Sequence, residues 1–362
     1  MKTYNIAVLP GDGIGPEVCD EALKVLNAVG KKFDTDFKNT IGYIGGAGWD
    51  KYKSHFPDET KKLCDKSDAV LFGSVGGPVD EQFEEKWKNC ERDSILAIRK
   101  YLGLTVNIRP AKVWPKLAHL SVLKAEKIPP TGIEIVTFRE LSQGLYFGEH
   151  TTFEENGELK ARDICDYSES TIKHIAKFCL ESAKISNKKV ALVDKANVLD
   201  TSRLWRKVVE EVKKDYPEVQ VENWLVDNCA QQLVKNPGYF DYLLTENLFG
   251  DILSDLTSTF SGSLGLLASA SFNKSGFGLY EPSGGSAPKY TGLNKINPIA
   301  QILCVAMMLK YSFGMEEASK AVENAVNETI NAGFRTYDIF RELPGEILVG
   351  TREIGDEIMK RV

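Results

Sequence analysis

Two aspartates, Asp251 and Asp255, lie four residues apart in the segment ENLFGDILSD. On a helix, side chains at this spacing project from one face, and two adjacent carboxylates repel each other unless a cation lies between them. Because the segment has no His or Cys, the expected cation is Mg²⁺ or Mn²⁺, which prefer oxygen ligands. Asp227, at the end of an apolar stretch in LVDNCAQQLV, is a candidate third ligand. The alternative is a common surface pattern, in which Asp251 caps a turn and Asp255 is solvated.

Three arginines, Arg99, Arg109 and Arg139, could bind an acidic substrate. The runs before Arg109 and Arg139 predict strands, which would place both guanidinium groups at strand ends, where α/β proteins bind ligands. Three planar, permanently charged groups suit a substrate with two carboxylates, because each carboxylate can accept two hydrogen bonds. Each arginine alone is better explained as a surface ion-pair partner, so this prediction depends on the set.

Lys195 and Tyr146 are candidate proton-transfer groups. Lys195 follows the apolar run of VALVDKANVLD, where partial desolvation would lower the pKa of its ammonium group. The alternative is a surface lysine whose stem covers apolar neighbours. Tyr146 lies between nearby glycines in GLYFGE, which leave its hydroxyl room to approach a ligand. The alternative for Tyr146 is a purely structural role.

Apolar runs alternate with helical patterns along most of the 362 residues, beginning with YNIAVL and a helix from Pro16 to about Val29. This alternation predicts an α/β fold with a central, mostly parallel sheet. The short aromatic-rich segments of GLYFGEHTTFEENGELKARDICDYS predict an antiparallel excursion in a second domain. The Gly/Ser-rich span that ends in GGSAPKYTG predicts functional loops around a buried strand.

The segment LPGDGIGPEV raises the question of a dinucleotide-binding loop. A Rossmann fingerprint requires a third glycine at position 16, after Gly11 and Gly13, and this chain has Pro16 there. Proline suits the first turn of a helix, and the Glu17 carboxylate would interact favourably with the positive end of the helix dipole. The sequence therefore predicts a sharp, non-Rossmann strand-to-helix turn.

The composition narrows the class of protein. With 43% apolar and 27% charged residues, the chain is typical of globular proteins. A net charge of −6 disfavours nucleic acid as a partner, and the absence of long apolar runs disfavours a membrane. Seven scattered cysteines predict free thiols in a reducing compartment, so we expect a cytoplasmic protein without a secretory signal. Four dispersed histidines make a zinc site unexpected.

Six segments, in this order, resemble the β-decarboxylating dehydrogenases over essentially the whole chain, and most closely the members that act on 3-isopropylmalate: GDGIGPEV, IRPAK, FRELSQGLYFGE, DKANVL, ENLFGDILSDL and EPSGGSAP. The resemblance implies a two-domain, non-Rossmann fold. Residues 1–104 and 262–362 would form a large cofactor-binding domain, and residues 105–261 a small domain for dimerisation, metal and substrate. It also implies a homodimer in which Lys195 and Asp227 complete the neighbouring subunit's site.

The resemblance further implies metal-dependent oxidative decarboxylation of (2R,3S)-3-isopropylmalate to 4-methyl-2-oxopentanoate in leucine biosynthesis, with hydride transfer to NAD or NADP. Lys195 would accept the hydroxyl proton, and Tyr146 would supply the final proton. Four residues would contact the substrate: Arg99, Arg109, Arg139 and Asp227. Three would bind Mg²⁺ or Mn²⁺: Asp227, Asp251 and Asp255. The dinucleotide would contact a set centred on the GGSAP loop: Glu281, Gly285, Ser286, Ala287, Pro288, Lys289, Tyr290, Asn297, Tyr337 and Arg341.

Ile95 and Leu96, just before Arg99, predict the substrate's side group. Apolar side chains cannot compensate a buried carboxylate, so an alkyl group is favoured over the third carboxylate of isocitrate. Arg92 occupies the place where the isopropylmalate enzymes have a glutamate near nicotinamide, which leaves another alkylmalate open. Isocitrate, homoisocitrate and tartrate are further alternatives. A non-catalytic regulatory subunit is disfavoured, because the metal and base residues are all present.

The residues after GSAP bear on the choice between NAD and NADP. NAD enzymes of the family have an aspartate there that accepts hydrogen bonds from the ribose hydroxyls, whereas this chain has Lys289 and Tyr290. Tyr337 and Arg341 add a second phenol and a second cation. These groups favour a 2′-phosphate, and the missing carboxylate removes a repulsive group. The family's usual cofactor, NAD, is the alternative.

Overall fold

The computed structural model describes residues 2–362, which divide into two compact units. The first unit contains residues 2–104 and 261–362, and the second contains residues 105–260. Within residues 2–362, no helix combines the length and the apolarity needed to cross a bilayer.

The first unit begins with strands that alternate with helices. Buried Ile6, Val8 and Leu9 hold β1 in the core, and Pro16 lies in the first turn of α1, where its missing N–H costs nothing. The elements are β1 (Lys2–Gly11), α1 (Gly15–Lys32), β2 (Thr35–Ile41), α2 (Gly45–Tyr52), α3 (Asp58–Asp65), β3 (Ala69–Ser74) and, after a π-helical turn at Arg92–Leu96, α4 (Ala97–Tyr101).

The second unit continues this alternation around its own core, in which Ile135, Val193, Leu243 and Leu253 are buried. Its elements are β4 (Leu104–Val113), β5 (Ile133–Glu140), β6 (His150–Glu155), β7 (Glu158–Asp163), α5 (Glu169–Ser186), β8 (Val190–Asp194), α6 (Asp200–Lys213), β9 (Val221–Leu225), α7 (Val226–Lys235), β10 (Tyr242–Thr245) and α8 (Asn247–Ser258). The strands β6 and β7 pair antiparallel in a two-stranded sheet, which confirms the predicted antiparallel excursion.

The chain then returns to the first unit. Helix α9 is buried on nearly all sides, because ten of its thirteen residues lie in the core. The elements are β11 (Ala268–Asn273), β12 (Gly278–Pro282), α9 (Ile299–Tyr311), α10 (Glu316–Asn331), β13 (Phe334–Arg335), β14 (Ile347–Leu348) and α11 (Thr351–Met359).

Each unit contributes five strands to sheet structure that is mostly parallel. In the first unit the order is β2-β1-β3-β12-β11, and only β11 and β12 pair antiparallel. In the second unit the order is β4-β5-β10-β8-β9, and within these five strands only β4 and β5 pair antiparallel. The predicted α/β class with a mostly parallel sheet is thus confirmed.

Candidate active site

Four parallel strands of the second unit end in step with one another. Thr245, at the end of β10, pairs with Arg139 of β5 and with Val193 of β8. Asp194, at the end of β8, pairs with Leu225 of β9. Ligands of open α/β sheets bind beyond the carboxyl ends of the strands, and here the candidate groups follow these ends.

Helix α8 starts two residues after β10 ends and presents Asp251 and Asp255 on one face, as their spacing predicts. Asp251 Oδ1 accepts a hydrogen bond from Arg139 Nη1, and Asp255 Oδ1 accepts one from Arg109 Nη1 at 3.1 Å. The Asp255 side chain is 75% exposed, while that of Asp251 is 35% exposed. Two accessible carboxylates with hard oxygen atoms on one helix face fit Mg²⁺ or Mn²⁺ as ligands.

Arg109 lies within β4 and not at a strand end, because β4 continues to Val113 and Arg109 pairs with Thr137 there. The prediction of a strand-end position is therefore wrong for this residue. Its guanidinium group nevertheless reaches α8, where Nη1 also donates to Ser254 Oγ at 3.0 Å. Arg109 Nε is buried and has no hydrogen-bond partner among residues 2–362.

Asn247, the first residue of α8, holds Arg139 in position. Its Oδ1 atom accepts hydrogen bonds from Arg139 Nε at 3.1 Å and from Nη2 at 2.9 Å. Gly250 leaves room for the arginine stem, since a Cβ there would lie 2.6 Å from Arg139 Cγ. We did not select either residue from the sequence. A polar residue and a glycine directly after a buried strand are the signal that could have identified them.

Tyr146 contributes a hydroxyl group to the same cluster. It donates to Asp251 Oδ2 at 3.0 Å, and the Arg139 guanidinium lies 6.0 Å from the centre of its ring. Burial, followed by the hydrogen bond to Asp251, raises the pKa of Tyr146. The phenol therefore stays protonated near neutral pH and can act as a proton donor.

Lys195 and Asp227 form a separate pair. Lys195 follows β8 directly, Asp227 lies in the first turn of α7, and Lys195 Nζ donates to Asp227 Oδ1 at 2.5 Å. This hydrogen bond lowers the pKa of Asp227. Within residues 2–362 of one chain, no three His, Cys, Asp or Glu side chains are grouped to hold a metal ion. Asp227 is therefore bonded to Lys195, while Asp251 and Asp255 are bonded to the arginines of β5 and β4.

The turn that carries Lys195 is fixed by buried polar groups. The Lys195 amide donates to Ser202 Oγ at 3.1 Å, and Ser202 Oγ donates to Glu246 Oε1 at 2.5 Å. Asp194 is fully buried and accepts two hydrogen bonds from Arg206. Burial, partly offset by the Ser202 bond, raises the pKa of Glu246 to about 7. Glu246 thus links the start of α8 to the turn that carries Lys195.

In the first unit, Arg99 donates from Nη2 to Glu281 Oε1 at 2.5 Å. Glu281 is buried, and its predicted contact with the cofactor stays a prediction. Arg99 Nε is buried without a hydrogen-bond partner in the described chain, which leaves a donor for a carboxylate. The apolar residues before it are accessible: Leu96 is 52% exposed and Ile95 is half-buried.

Arg92 begins a π-helical turn that runs to Leu96. Its guanidinium group bonds to the carboxylate of the neighbouring Asp93 at 2.8 Å. The effect of Arg92 on the choice of substrate stays a prediction.

The GDGIGPEV turn supports the GGSAP loop. Gly13 has φ +58°, and a Cβ there would lie 2.0 Å from the carbonyl oxygen of Ser286. The Ile14 amide donates to the same oxygen at 2.9 Å. The Asp12 carboxylate accepts hydrogen bonds from three backbone amides, those of Gly46, Ala47 and Gly76. The motif is therefore a scaffold for the loop and does not itself form a Rossmann site.

The GGSAP loop separates two cavities of the first unit. The first cavity, of about 600 Å³, has the size of a cofactor site. Its lining includes Ser263, Gly285, Ala287, Tyr290, Lys295, Asn297, Tyr337 and Asp338. The second cavity, of about 910 Å³, is lined by residues that include Glu91, Arg92, Gly285, Ser286, Ala287, Pro288 and Lys289.

The four groups predicted to select NADP lie in three different surroundings. Tyr290 and Tyr337 line the first cavity, and Lys289 lines the second with its Nζ 4.9 Å from the Tyr290 ring. Arg341 is not among the lining residues of either cavity, and its Nη1 donates to the carbonyl oxygens of Asp338 and Phe340. Its role at the cofactor stays a prediction.

Comparison with known proteins agrees with this architecture. The family model described as isocitrate/isopropylmalate dehydrogenase matches residues 5–358. The chain belongs to this isocitrate/isopropylmalate dehydrogenase family. Membership confirms the resemblance found in the sequence motifs and the oxidoreductase class, in a family that uses a metal ion and NAD or NADP.

Relatives within the family cover the whole chain. A protein named 3-isopropylmalate dehydrogenase from Thermotoga maritima is 50% identical over 99% of this chain and 98% of its own length. Another protein of that name, from Aquifex aeolicus, is 48% identical over 100% of this chain and 98% of its own length. The crystal structure of a beta-decarboxylating dehydrogenase from Thermococcus kodakarensis matches with a TM-score of 0.80 and 34% identity, covering 99% of this chain and 96% of that one. An isocitrate dehydrogenase from Methylococcus capsulatus also gives a TM-score of 0.80, at 30% identity and 99% coverage of both chains.

Proposed function

We propose that the protein catalyses the oxidative decarboxylation of (2R,3S)-3-isopropylmalate to 4-methyl-2-oxopentanoate, in leucine biosynthesis. The observation that carries the proposal is the contact set of Asp251, which bonds to both Arg139 and Tyr146. The proposal is supported because the residues proposed to bind the metal ion, to bind a substrate carboxylate and to donate a proton are in contact with one another. The relatives named 3-isopropylmalate dehydrogenase support the choice of substrate.

Arg99, Arg109 and Arg139 would bind the two carboxylates of the substrate. Two of them, Arg99 and Arg109, keep a buried Nε–H without a partner in the described chain. A buried N–H gains most from a charged acceptor, so these donors favour a dicarboxylate. Ile95 and Leu96 would contact the alkyl group, because they offer accessible apolar surface and no group that could pair with a third carboxylate.

Asp251 and Asp255 would hold Mg²⁺ or Mn²⁺ together with Asp227 of a second subunit. When bound, the metal ion withdraws electron density from the substrate oxygens, and NAD or NADP accepts the hydride. Lys195, as the neutral amine, would accept the hydroxyl proton as the hydride leaves C2, with Asp227 Oδ1 accepting a hydrogen bond from Nζ and so holding the amino group in place. Tyr146, kept protonated by its surroundings, would donate a proton to C3 after carbon dioxide has left.

Two chains would be needed for a complete site. The third carboxylate, Asp227, is bonded to Lys195 in the same chain, and the described chain groups no three metal ligands by itself. A homodimer would let each chain supply Asp251 and Asp255 to one site and Lys195 with Asp227 to the other. This arrangement predicts that no monomeric form is active.

NADP is the proposed cofactor, held at the GGSAP loop. Tyr290 and Tyr337 line the first cavity, and Lys289 takes the place of an aspartate that would repel a 2′-phosphate. The double variant Lys289→Asp with Tyr290→Ile should shift the ratio of kcat/KM values toward NAD. An unchanged ratio would show that these residues do not determine the preference.

Initial rates with a panel of acids test the proposal. 3-Isopropylmalate, 3-methylmalate, isocitrate, homoisocitrate and tartrate would each be assayed with Mg²⁺ or Mn²⁺, with NAD or NADP, and with a chelator as the control. The highest kcat/KM is expected for 3-isopropylmalate. A higher value for another acid would reassign the substrate, and no NAD(P)H formation with any acid would indicate a non-catalytic protein.

A further inference from the structure

The hydroxyl group of Tyr167, a partly buried residue just before α5, contacts two segments of the candidate site. It accepts a hydrogen bond at 2.9 Å from the amide of Asn247, the first residue of α8. The same oxygen packs against the backbone of Gly144, because a Cβ built there would lie 2.0 Å from it. The proposed reaction assigns no role to this tyrosine, although its hydroxyl bridges two chain segments that carry reacting groups.

The first segment is the turn that carries Tyr146. The carbonyl oxygen of Gly144 accepts hydrogen bonds from the amides of Phe147 and Gly148, both at 3.1 Å, so Tyr146 lies inside a closed turn. The Gly144 amide donates to the carbonyl oxygen of Asp166 at 2.9 Å, which ties the turn to the segment before α5. The place of the Gly144 backbone therefore determines where the Tyr146 side chain starts.

The second segment is the start of α8. Asn247 and Asp251 lie four residues apart in this helix, which is about one helical turn. Asn247 Nδ2 also donates to the carbonyl oxygen of Gln143 at 2.9 Å. The Tyr167 hydroxyl thus joins the turn that carries Tyr146 to the helix that carries Asp251, and these two side chains meet in a hydrogen bond of 3.0 Å.

The Tyr167 ring is itself held in place. It packs edge-on against Trp205 of α6, with ring centres 5.6 Å apart and ring planes at 89°. Trp205 is fully buried, which fixes this contact in the core of the unit. Burial raises the pKa of Tyr167, so its phenol stays protonated near neutral pH. A neutral hydroxyl on a fixed ring gives the two segments a constant separation.

We propose that Tyr167 is a positioning residue that holds the Tyr146 phenol against Asp251, where it can donate the final proton. This inference rests on the proposed role of Tyr146 as the proton donor. Proton transfer requires the donor and acceptor to lie within hydrogen-bonding distance, and a misplacement of about 1 Å can lower a rate about a hundredfold. Tyr167→Phe would remove the oxygen, leave the Asn247 amide without this acceptor and open a gap beside Gly144.

Stopped-flow measurement of NAD(P)H formation with 3-isopropylmalate tests the inference. Hydride transfer precedes the final protonation, so a misplaced Tyr146 would slow the reaction only after NAD(P)H has formed. In Tyr167→Phe, the first turnover should occur at the wild-type rate with an amplitude equal to the concentration of sites. The steady-state kcat should then be about 10- to 100-fold lower. The KM for 3-isopropylmalate should change by less than about threefold, because Asn247 Oδ1 still holds Arg139.

The double variant Tyr146→Phe with Tyr167→Phe shows whether Tyr167 acts through Tyr146. Its kcat should equal that of Tyr146→Phe alone, because a missing hydroxyl cannot be misplaced.

Tyr242→Phe is the matched control. It removes the hydroxyl of a buried tyrosine at the start of β10, in the same unit, where that hydroxyl donates to Ser186 Oγ at 3.1 Å. The start of β10 is the end opposite the candidate site, so wild-type kinetics are expected. Both single variants lose one hydrogen bond, and their unfolding temperatures should fall by similar amounts.

Three results would overturn the inference. The first is a wild-type kcat in Tyr167→Phe. The second is a slower first turnover in that variant, which would place its effect before hydride transfer. The third is a double variant much slower than Tyr146→Phe, as expected for an independent structural loss. If Tyr146→Phe itself kept the wild-type kcat, the inference would fall together with the role of Tyr146, while NAD(P)H formation with 3-isopropylmalate would still support the proposed reaction.

Discussion

Complementation between two inactive variants tests the proposed division of the site between subunits. The variants are Lys195→Ala, which removes the proposed base, and Asp251→Asn, which removes a proposed metal ligand. Lys195 bonds to Asp227, whereas Asp251 bonds to Arg139 and Tyr146. In the proposed dimer, Lys195 and Asp251 of one chain would therefore belong to different active sites.

The expected activities follow from counting intact sites. Each variant homodimer has two defective sites, and loss of a general base alone lowers the rate by about 10²- to 10⁴-fold. In a mixed dimer, one site combines Asp251 of the first chain with Lys195 of the second, and both are intact. The other site contains both substitutions. A mixed dimer should therefore have about half of the wild-type kcat per dimer, because one of two equivalent sites is complete.

The assay uses co-expressed chains with different affinity tags, so that two successive purifications isolate the mixed dimer. NAD(P)H formation with 3-isopropylmalate is then compared with the wild type and both parents. The matched control is a mixed dimer of Lys195→Ala and Asp227→Asn. Because these two residues are paired in one chain, neither site would be intact, and no recovery is expected. If the Lys195→Ala and Asp251→Asn mixture stays as inactive as its parents, the shared-site reasoning is wrong.

Two further predictions concern groups outside the proposed chemistry. Gly13→Ala should raise the KM for the dinucleotide strongly, because the added Cβ would lie 2.0 Å from the carbonyl oxygen of Ser286 in the GGSAP loop. Gly103→Ala is the control: its φ is similarly positive, but no atom lies within 4 Å of the added Cβ, so that KM should be unchanged. Glu246→Gln should be stabilising at high pH: the folded pKa of Glu246, about 7, lies above its ordinary 4.5, so wild-type stability falls as pH rises between these values. In denaturant unfolding, the free energy of unfolding of Glu246→Gln should rise relative to that of the wild type by up to about 3 kcal/mol between pH 4.5 and pH 8. Unfolding free energies that change with pH in parallel for the two proteins would contradict this.

Local spacing was sufficient to predict the paired aspartates. The i and i+4 separation of Asp251 and Asp255 depends only on helix geometry, and α8 forms where the pattern predicts it. The position of Lys195 directly after β8 is equally local, since an apolar run and the polar residues after it mark the end of a buried strand. The antiparallel strands β6 and β7 were also predictable, because short turn-separated segments leave no room for helices.

Positions that depend on distant contacts could not be predicted in this way. The Arg109 guanidinium group, for example, bonds to Ser254 and Asp255 of α8, which lie 145 and 146 residues further along the chain. Glu281 resembles a cofactor contact and pairs with Arg99, which lies 182 residues away in the sequence.

The arginines of the second unit explain how two carboxylates can share one face of α8. Asp251 and Asp255 would repel each other on an isolated helix, yet each accepts a hydrogen bond from a different guanidinium group, one from Arg139 and one from Arg109. These ion pairs offset the repulsion between the two carboxylates in the chain without a ligand. A divalent cation on the same carboxylates would compete with the arginines and leave their N–H groups available to the carboxylates of a substrate. A metal ion on the aspartates would free arginine N–H groups for the substrate, and a substrate on the arginines would free aspartate oxygens for the metal ion. Each ligand should therefore raise the affinity for the other.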